Sequence, residues 1–493
     1  MKTNTTIIQL FHWYTPNDGN WWNSCAEQAK DLAAKGITHV YLPPAYKSAL
    51  GNSEPGYAVY DLYDLGEFDQ KDTIRTKYGT KDEYLKCVNC FHEVGIKVIA
   101  DIVLNHRFGG EEEEEFTAIR VNHDDRNVFV GEPETLKAYT KFTFPKREGK
   151  YSTFQWDSEC FTGIDIDRDD EKNIIHSIIN KYGDSWEDVI EEEFGNYDYL
   201  MGADVEYRNE DVKKEIKNWG KWYVETTGVD GFRMDAVKHI SPAFMKEWIV
   251  YMREEMKTDF FSVSEYWRAE VDALTKYLDA VENTTQLFDV PLHFNFHNAS
   301  NQGNDYDLRN IFEGSLLEQR PESSVTFVEN HDTQSLQSLE SPIEHWFKPL
   351  AYSIILLREK GTPIIFYPCL HGAEYSDKKG EETYDILIEK VEELPILLKV
   401  REQKAYGNQV DYFDEPNVIG WVRQGDESKE NSGCAVLMSN DNDSSKKMDM
   451  GKQNAQKVYK DACGHITETV KTDEDGMGHF LVKAGKISVW VLG

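Results

Sequence analysis

Three carboxylates stand at the ends of short apolar runs: Asp235 in Gly231-Phe-Arg-Met-Asp, Glu265 closing residues 260–265, and Asp332 in Glu329-Asn-His-Asp. An ionisable group beside predicted core is costly unless it is paired or used. Two carboxyls flanking one bond can hydrolyse an acetal at a sugar: one attacks or activates water, and the other, held protonated, releases the leaving group. Arg233 lies two residues before Asp235, so in a strand both side chains share a face. That cation would keep Asp235 ionised. Tyr266 and Trp267 follow Glu265, and an apolar wall there would raise its pKa, as an acid catalyst needs. His106 and His331 suit hydroxyl recognition, and Trp13, Tyr57 and Trp267 offer flat faces to sugar rings.

Taken singly, each residue has a plainer reading. A lone strand-end Asp or Glu is more commonly a helix cap or an ion-pair partner. Asp101 reads as structural support for Arg233; His39, His176 and His371 read as surface or satisfied groups; Trp21 and Trp22 read as packing; His12 fits either role. The catalytic reading gains because several strand ends agree.

Eight short β-rich runs carry these groups, at 7–11, 38–42, 97–104, 231–236, 260–265, 287–292, 324–329 and 362–367. Helical patterns alternate with them, at 25–35, 81–94, 211–226, 243–257, 271–281, 305–318 and 346–360. Continuous apolar strands alternating with helices predict a parallel sheet, and eight such units predict a closed (β/α)₈ barrel with functional groups at the strands' C-terminal ends. Gly95, Gly228 and Gly361 fall where helix C-caps are expected. Residues 107–206 are too long for one connection and read as a small, irregular inserted domain, its run Glu111–Glu115 as a solvated loop. After residue 403 short strands with turn signals predict an all-β sandwich. The expected division is therefore a barrel domain (1–106 and 207–403), an insertion after the third strand (107–206) and a C-terminal β domain (404–493).

The charge sum, 54 basic against 88 acidic residues, is −34. Such a surface repels phosphate backbones and anionic lipid, which argues against nucleic-acid and membrane partners. No apolar run approaches the ~18 residues of a membrane span. The polar start Met1-Lys2-Thr3-Asn4-Thr5-Thr6 and the seven scattered cysteines point away from secretion and disulfides, towards the cytoplasm. Cys87 and Cys90 form the one close pair and read as ordinary thiols. No obligate protein partner is evident.

The segments Asp101-Ile-Val-Leu-Asn105-His106, Gly231-Phe-Arg233-Met-Asp235-Ala-Val-Lys238-His239, Glu265-Tyr-Trp267 and Phe327-Val-Glu-Asn330-His331-Asp332 resemble the four signature segments of the α-amylase family, in its order and on its third, fourth, fifth and seventh strands. The likeness runs the full chain and is strongest to the bacterial liquefying subgroup and its cytoplasmic relatives. It implies retaining endo-hydrolysis of α-1,4-glucans, with Asp235 as nucleophile, Glu265 as general acid/base and Asp332 as the third carboxylate. It implies that Arg233, His106, His331 and Tyr57 meet the sugar being cleaved, and that Lys238 and His239 meet the leaving group. It also implies one calcium, held by Asn105, Asp198, Asp204 and the backbone carbonyl of His239. Thr162, Glu187 and Glu206 depart from the subgroup's aspartates. A non-catalytic glucan-binding protein is disfavoured because all three carboxylates stand. A maltooligosaccharide-forming amylase or a transglycosylase is the alternative.

Overall fold

The computed structural model describes residues 4–168, 171–257 and 260–493, so Met1 to Thr3 of the polar N-terminus lie outside it. Among the described residues eight parallel strands close a barrel: β1 (Ile7–Gln9), β2 (His39–Leu42), β3 (Lys97–Ile102), β4 (Gly231–Met234), β5 (Phe261–Ser264), β6 (Gln286–Phe288), β7 (Ser324–Phe327) and β8 (Thr362–Phe366). β1 pairs with both β2 and β8, through Ile7↔His39 and Ile7↔Ile364, which closes the ring. The strands are short and almost wholly buried, as expected where helices cover the outer face. The register sets Arg233 of β4 directly beside Asp101 of β3.

Helices take up most of the predicted segments, with two departures. The run 287–292 does not continue as strand: β6 stops at Phe288, because Asp289 caps a helix, Val290–Gln302, that the apolar pattern conceals. The Asp289 carboxylate accepts the N–H groups of Leu292, Leu316 and Leu317 at 3.1, 3.0 and 2.6 Å. The stretch 305–318 is not one helix but two 3₁₀ turns and a short helix, Leu316–Gln319.

The connection after β3 is more regular than its sequence suggests. It contributes a six-stranded sheet, in the order His106–Arg107, Ala203–Val205, Phe161–Arg168, Glu171–Ile178, Glu112–Val121 and Phe129–Lys141. All of the glutamate run but Glu111 is therefore strand and not loop. Its charges are matched across the ladder, Glu112 to Lys141 and Glu113 to Lys137, both at 3.1 Å. Glu111 accepts the N–H groups of Thr143 and Phe144, and Glu114 accepts that of Ser158.

Beyond β8 the hairpin Ala373–Lys379 and Glu382–Ile388, and the helix Leu394–Gln403, have no counterpart in the sequence reading. The C-terminal region is all β: a six-stranded sheet of Gln409–Glu415, Val418–Arg423, Cys434–Ser439, Ile487–Leu492, Val458–Asp461 and Val470–Lys471, with the pair Ser444–Asp449 and Met477–Val482. The polar composition of Gln409–Glu415 and Ser444–Asp449 hides them as strands. All seven cysteines are free thiols, and no described helix is long and apolar enough to cross a membrane.

Candidate active site

Arg233 is the hub. Its side chain is 1% exposed at the mouth of the barrel. Nη1 donates to Asp101 Oδ1 at 2.8 Å and to Asp235 Oδ1 at 2.5 Å, and Nη2 lies 2.8 Å from Glu265 Oε2. Asp101 is indeed the structural partner: its other oxygen accepts the hydroxyls of Tyr41 and Tyr57 at 2.7 and 2.6 Å. After Asp235 the chain turns sharply, with Ala236 in the left-handed region at φ 49°, a conformation costly for a residue with a Cβ. The turn aims the Ala236 N–H at Glu265 Oε2, 3.2 Å away. Asp235 and Glu265 thus sit side by side on the two terminal nitrogens of one guanidinium.

The electrostatics differ from the expectation drawn from Arg233 alone. Burial pushes the Asp235 carboxyl well above its ordinary range and outweighs the pull of Arg233, with Glu265, Asp101 and Asp332 adding repulsion. Burial, then Glu265, pushes Asp332 up to about 8. Asp235 and Asp332 are both pushed towards the protonated form, so the cluster at the barrel mouth does not stand fully ionised at neutral pH. The anticipated apolar wall beside Glu265 is also replaced. Its carboxyl is held by Arg233, while the Tyr266 hydroxyl turns to Glu191 at 3.4 Å and the Trp267 ring packs near His293, Phe294 and Phe327.

One wall of the site is an aromatic stack. Trp13 lies nearly parallel to Tyr57 (centroids 5.7 Å, 10°) and to His331 (6.2 Å, 12°). The Tyr57 hydroxyl gives its one proton to Asp101, so it accepts from His331 Nε2 at 2.7 Å. His331 Nδ1 is then the acceptor for the Gln9 amide at 2.8 Å. Burial, then Arg233, holds His331 well below its usual pKa, so the ring is neutral and presents a fixed tautomer. His331 Nε2 is also 3.3 Å from Asp332 Oδ2. His106 is likewise kept neutral, at about 4, by burial, and it bonds the Tyr57 carbonyl at 3.0 Å. Trp21 and Trp22 are buried packing residues, and His12, at about 4 through burial, stacks on Tyr367.

On the opposite flank, Lys238 and His239 lean towards the insertion. Lys238 Nζ lies 4.8 Å over the Tyr197 ring and 3.5 Å from the Trp267 carbonyl. His239 Nδ1 bonds the Tyr197 carbonyl at 2.7 Å. Below them Asn105 Nδ2 reaches Asp204 Oδ1 at 3.1 Å, and Thr162 donates to Asp204 Oδ2. Asp198 Oδ2 accepts the Glu187 N–H at 2.9 Å. Asp198, Asp204, Glu187 and Glu206 are all buried, and the neighbouring cation, Arg208, is committed to Glu206 at 2.6 Å. Asn105 Oδ1 is buried with no hydrogen-bond partner among the described residues. No group of three or more His, Cys, Asp or Glu is arranged as a metal cage among them.

Gln9 and Tyr41 are the site residues that sequence reasoning misses. In the sequence Gln9 reads only as a break in an apolar run. A polar side chain inside a barrel strand is itself the signal, because it must find a partner in the core.

The α-amylase catalytic-domain family model matches residues 22–386. The chain is 47% identical over 491 residues to the cytoplasmic α-amylase of Escherichia coli (strain K12), covering 99% of each. It is 43% identical over 489 residues to a glucan 1,4-α-maltohexaosidase of Bacillus sp. (strain 707), covering 99% of this chain and 92% of that one. A crystal structure of an α-amylase from Geobacillus thermoleovorans, complexed with acarbose, shares the fold at 18% identity and a TM-score of 0.66, over 100% and 98% of the two chains.

Proposed function

The chain belongs to the α-amylase family of glycoside hydrolases, and from that premise we propose how its own residues cleave an internal α-1,4-glucosidic bond of starch, glycogen fragments or maltodextrins. The observation that carries this reading is the pairing of Asp235 and Glu265 on one guanidinium. Asp235 attacks the anomeric carbon and forms a glycosyl ester as Glu265 gives its proton to the departing oxygen. Glu265 then takes a proton from water, which displaces Asp235. Arg233 pulls against the burial of Asp235 towards the ionised form that the attack needs, and Glu265 carries the proton it delivers. Asp332 and the neutral His331 bind hydroxyls of the distorted ring, His106 helps at the same sugar, and Trp13 and Tyr57 flank it. Lys238, His239 and Trp267 receive the leaving glucan. Two displacements return the original configuration, so proton NMR of the first product should show the α-anomer. A β-anomer would overturn the scheme.

The units that divide this work are 1–106 with 207–403, 107–206 and 404–493. The maltohexaosidase relative supports a second reading in which one product length dominates. Chromatography of products from a long α-1,4-glucan over time separates it from random internal cleavage, and a transglycosylase would give products longer than its substrate.

A calcium ion fits between barrel and insertion. Asn105 Oδ1 has no partner among the described residues, and the excess of buried carboxylates over Arg208 needs a cation. Asn105, Asp198, Asp204 and the His239 carbonyl would hold it; oxygen-only ligands with flexible geometry suit calcium. Two of these are carboxylates, so the set need not form an acidic cage. The ion would tie the insertion to the barrel. A chelator should lower melting temperature and activity together, and calcium should restore both. Asp204→Asn should blunt that response; if it responds as wild type does, the effect is general charge screening. The seven free cysteines and the cytoplasmic relative support a cytoplasmic location.

A further inference from the structure

The helix Lys348–Leu357 is buried along its whole length, and Lys348 is its one charged residue. That lysine stands at the first helical position, where a cation opposes the helix dipole. A charge set against both burial and dipole needs a partner. The partner is Glu329, also buried, whose Oε2 lies 2.8 Å from Lys348 Nζ. The same oxygen accepts the Cys369 thiol at 3.4 Å, and Oε1 accepts the Ile343 N–H at 2.8 Å. One carboxylate just beyond β7 therefore gathers three separate segments: the start of the helix, the turn at Ile343, and the short helix Tyr367–His371 that follows β8.

What Glu329 anchors is the turn that presents His331 and Asp332. Asn330 comes next: its Oδ1 accepts the N–H groups of Asp332 and Thr333, both at 2.9 Å, and its own N–H donates to Thr333 Oγ1 at 2.9 Å. The Ser341 N–H bonds the Thr333 carbonyl at 3.0 Å. On the strand side, His293 Nδ1 donates to the Val328 carbonyl at 2.8 Å. The turn is thus stiff within itself, and Glu329, between Val328 and Asn330, fastens it to the helices behind. The two residues it carries depend on that fastening to different degrees. The His331 ring is held at both nitrogens, by Gln9 and Tyr57. The Asp332 carboxylate has no hydrogen-bond or ion-pair partner but His331 among the described residues, at 3.3 Å. Its place in the cleft follows from its backbone.

We propose that Glu329 and Lys348, both too buried to meet substrate, are positioning residues: their ion pair is a clamp that sets Asp332 against the distorted sugar ring. The inference rests on the glucanase reading above, in which Asp332 binds that ring. Lys348→Met alone would strand a buried carboxylate and weaken the fold. The informative protein is therefore the double variant Glu329→Gln with Lys348→Met, which replaces the pair by neutral groups of like shape and keeps an acceptor for the Ile343 N–H. It should melt within a few degrees of wild type. Its KM for maltoheptaose should stay within about twofold while kcat falls about tenfold to a hundredfold, the cost of a small misplacement of a group that acts in the transition state. In an Asp332→Asn background the same two changes should lower the residual turnover by less than about threefold, because the group they misplace is already gone. A double variant with wild-type kcat would overturn the clamp. So would a loss repeated in full in the Asp332→Asn background, because a smaller folded fraction lowers both proteins alike. A wild type that leaves maltoheptaose uncleaved would instead overturn the glucanase reading, and the clamp with it.

Discussion

Asp235→Asn and Glu265→Gln are each expected to cut kcat by at least about a thousandfold, more than ~4 kcal/mol of barrier. Neither change alters shape, so binding of an uncleaved maltooligosaccharide, followed by tryptophan fluorescence, should survive within a fewfold. The reason lies in the geometry around Arg233. In the proposed scheme Asp235 presents the oxygen that becomes the ester, and an amide cannot form that bond. In the same scheme Glu265 supplies the proton that the departing sugar oxygen needs, and an amide has no such proton to give. The two variants should be told apart by substrate. A leaving group that needs no protonation, such as fluoride, should rescue cleavage by Glu265→Gln but not by Asp235→Asn. An Asp235→Asn protein retaining more than about a tenth of wild-type turnover would place the nucleophile elsewhere.

The residues of this machinery are legible in the sequence because each stands next to a short apolar run, where an unpaired charge would be expensive. The barrel is legible for the complementary reason: eight runs alternating with helical patterns leave few other topologies. What escapes is structure whose polar and apolar residues answer to neighbours distant in the chain. Glu111–Glu115 reads as a solvated run until Lys137 and Lys141 are placed opposite it. Asp289 reads as part of an apolar strand until its carboxylate is seen collecting the N–H groups of Leu316 and Leu317. The raised pKa of Asp235 escapes for the same reason. Arg233 is its neighbour in sequence, but the three carboxylates that crowd the pair come from other strands.

Asp332→Asn should inactivate the enzyme and yet stabilise the fold at neutral pH. The carboxyl is pushed up to about 8 by burial and by Glu265. An unfolded aspartate titrates near ~3.9. Between those values the native state holds a proton that the unfolded chain releases, so the native state binds more protons and stability falls as pH rises from about 4 to about 8. Asn carries no such cost. Each tenfold difference in proton affinity between the folded and unfolded chain is worth ~1.4 kcal/mol, so relief on the order of 2 kcal/mol or more is expected near pH 7 even if coupling to the other carboxyls absorbs part of it. The gain in melting temperature over wild type should therefore widen from pH 5 to pH 8 and shrink towards pH 4. Thermal scans of both proteins across that range decide the matter. A gap that stays constant, or that narrows as pH rises, would mean that Asp332 is ionised and satisfied in the free enzyme. A site that holds three carboxyls on Arg233 and buries Asp332 as a fourth nearby costs the fold stability. In the proposed scheme the burial and repulsion that weaken the fold here would leave a protonated Asp332 able both to donate to and to accept from sugar hydroxyls when substrate displaces water.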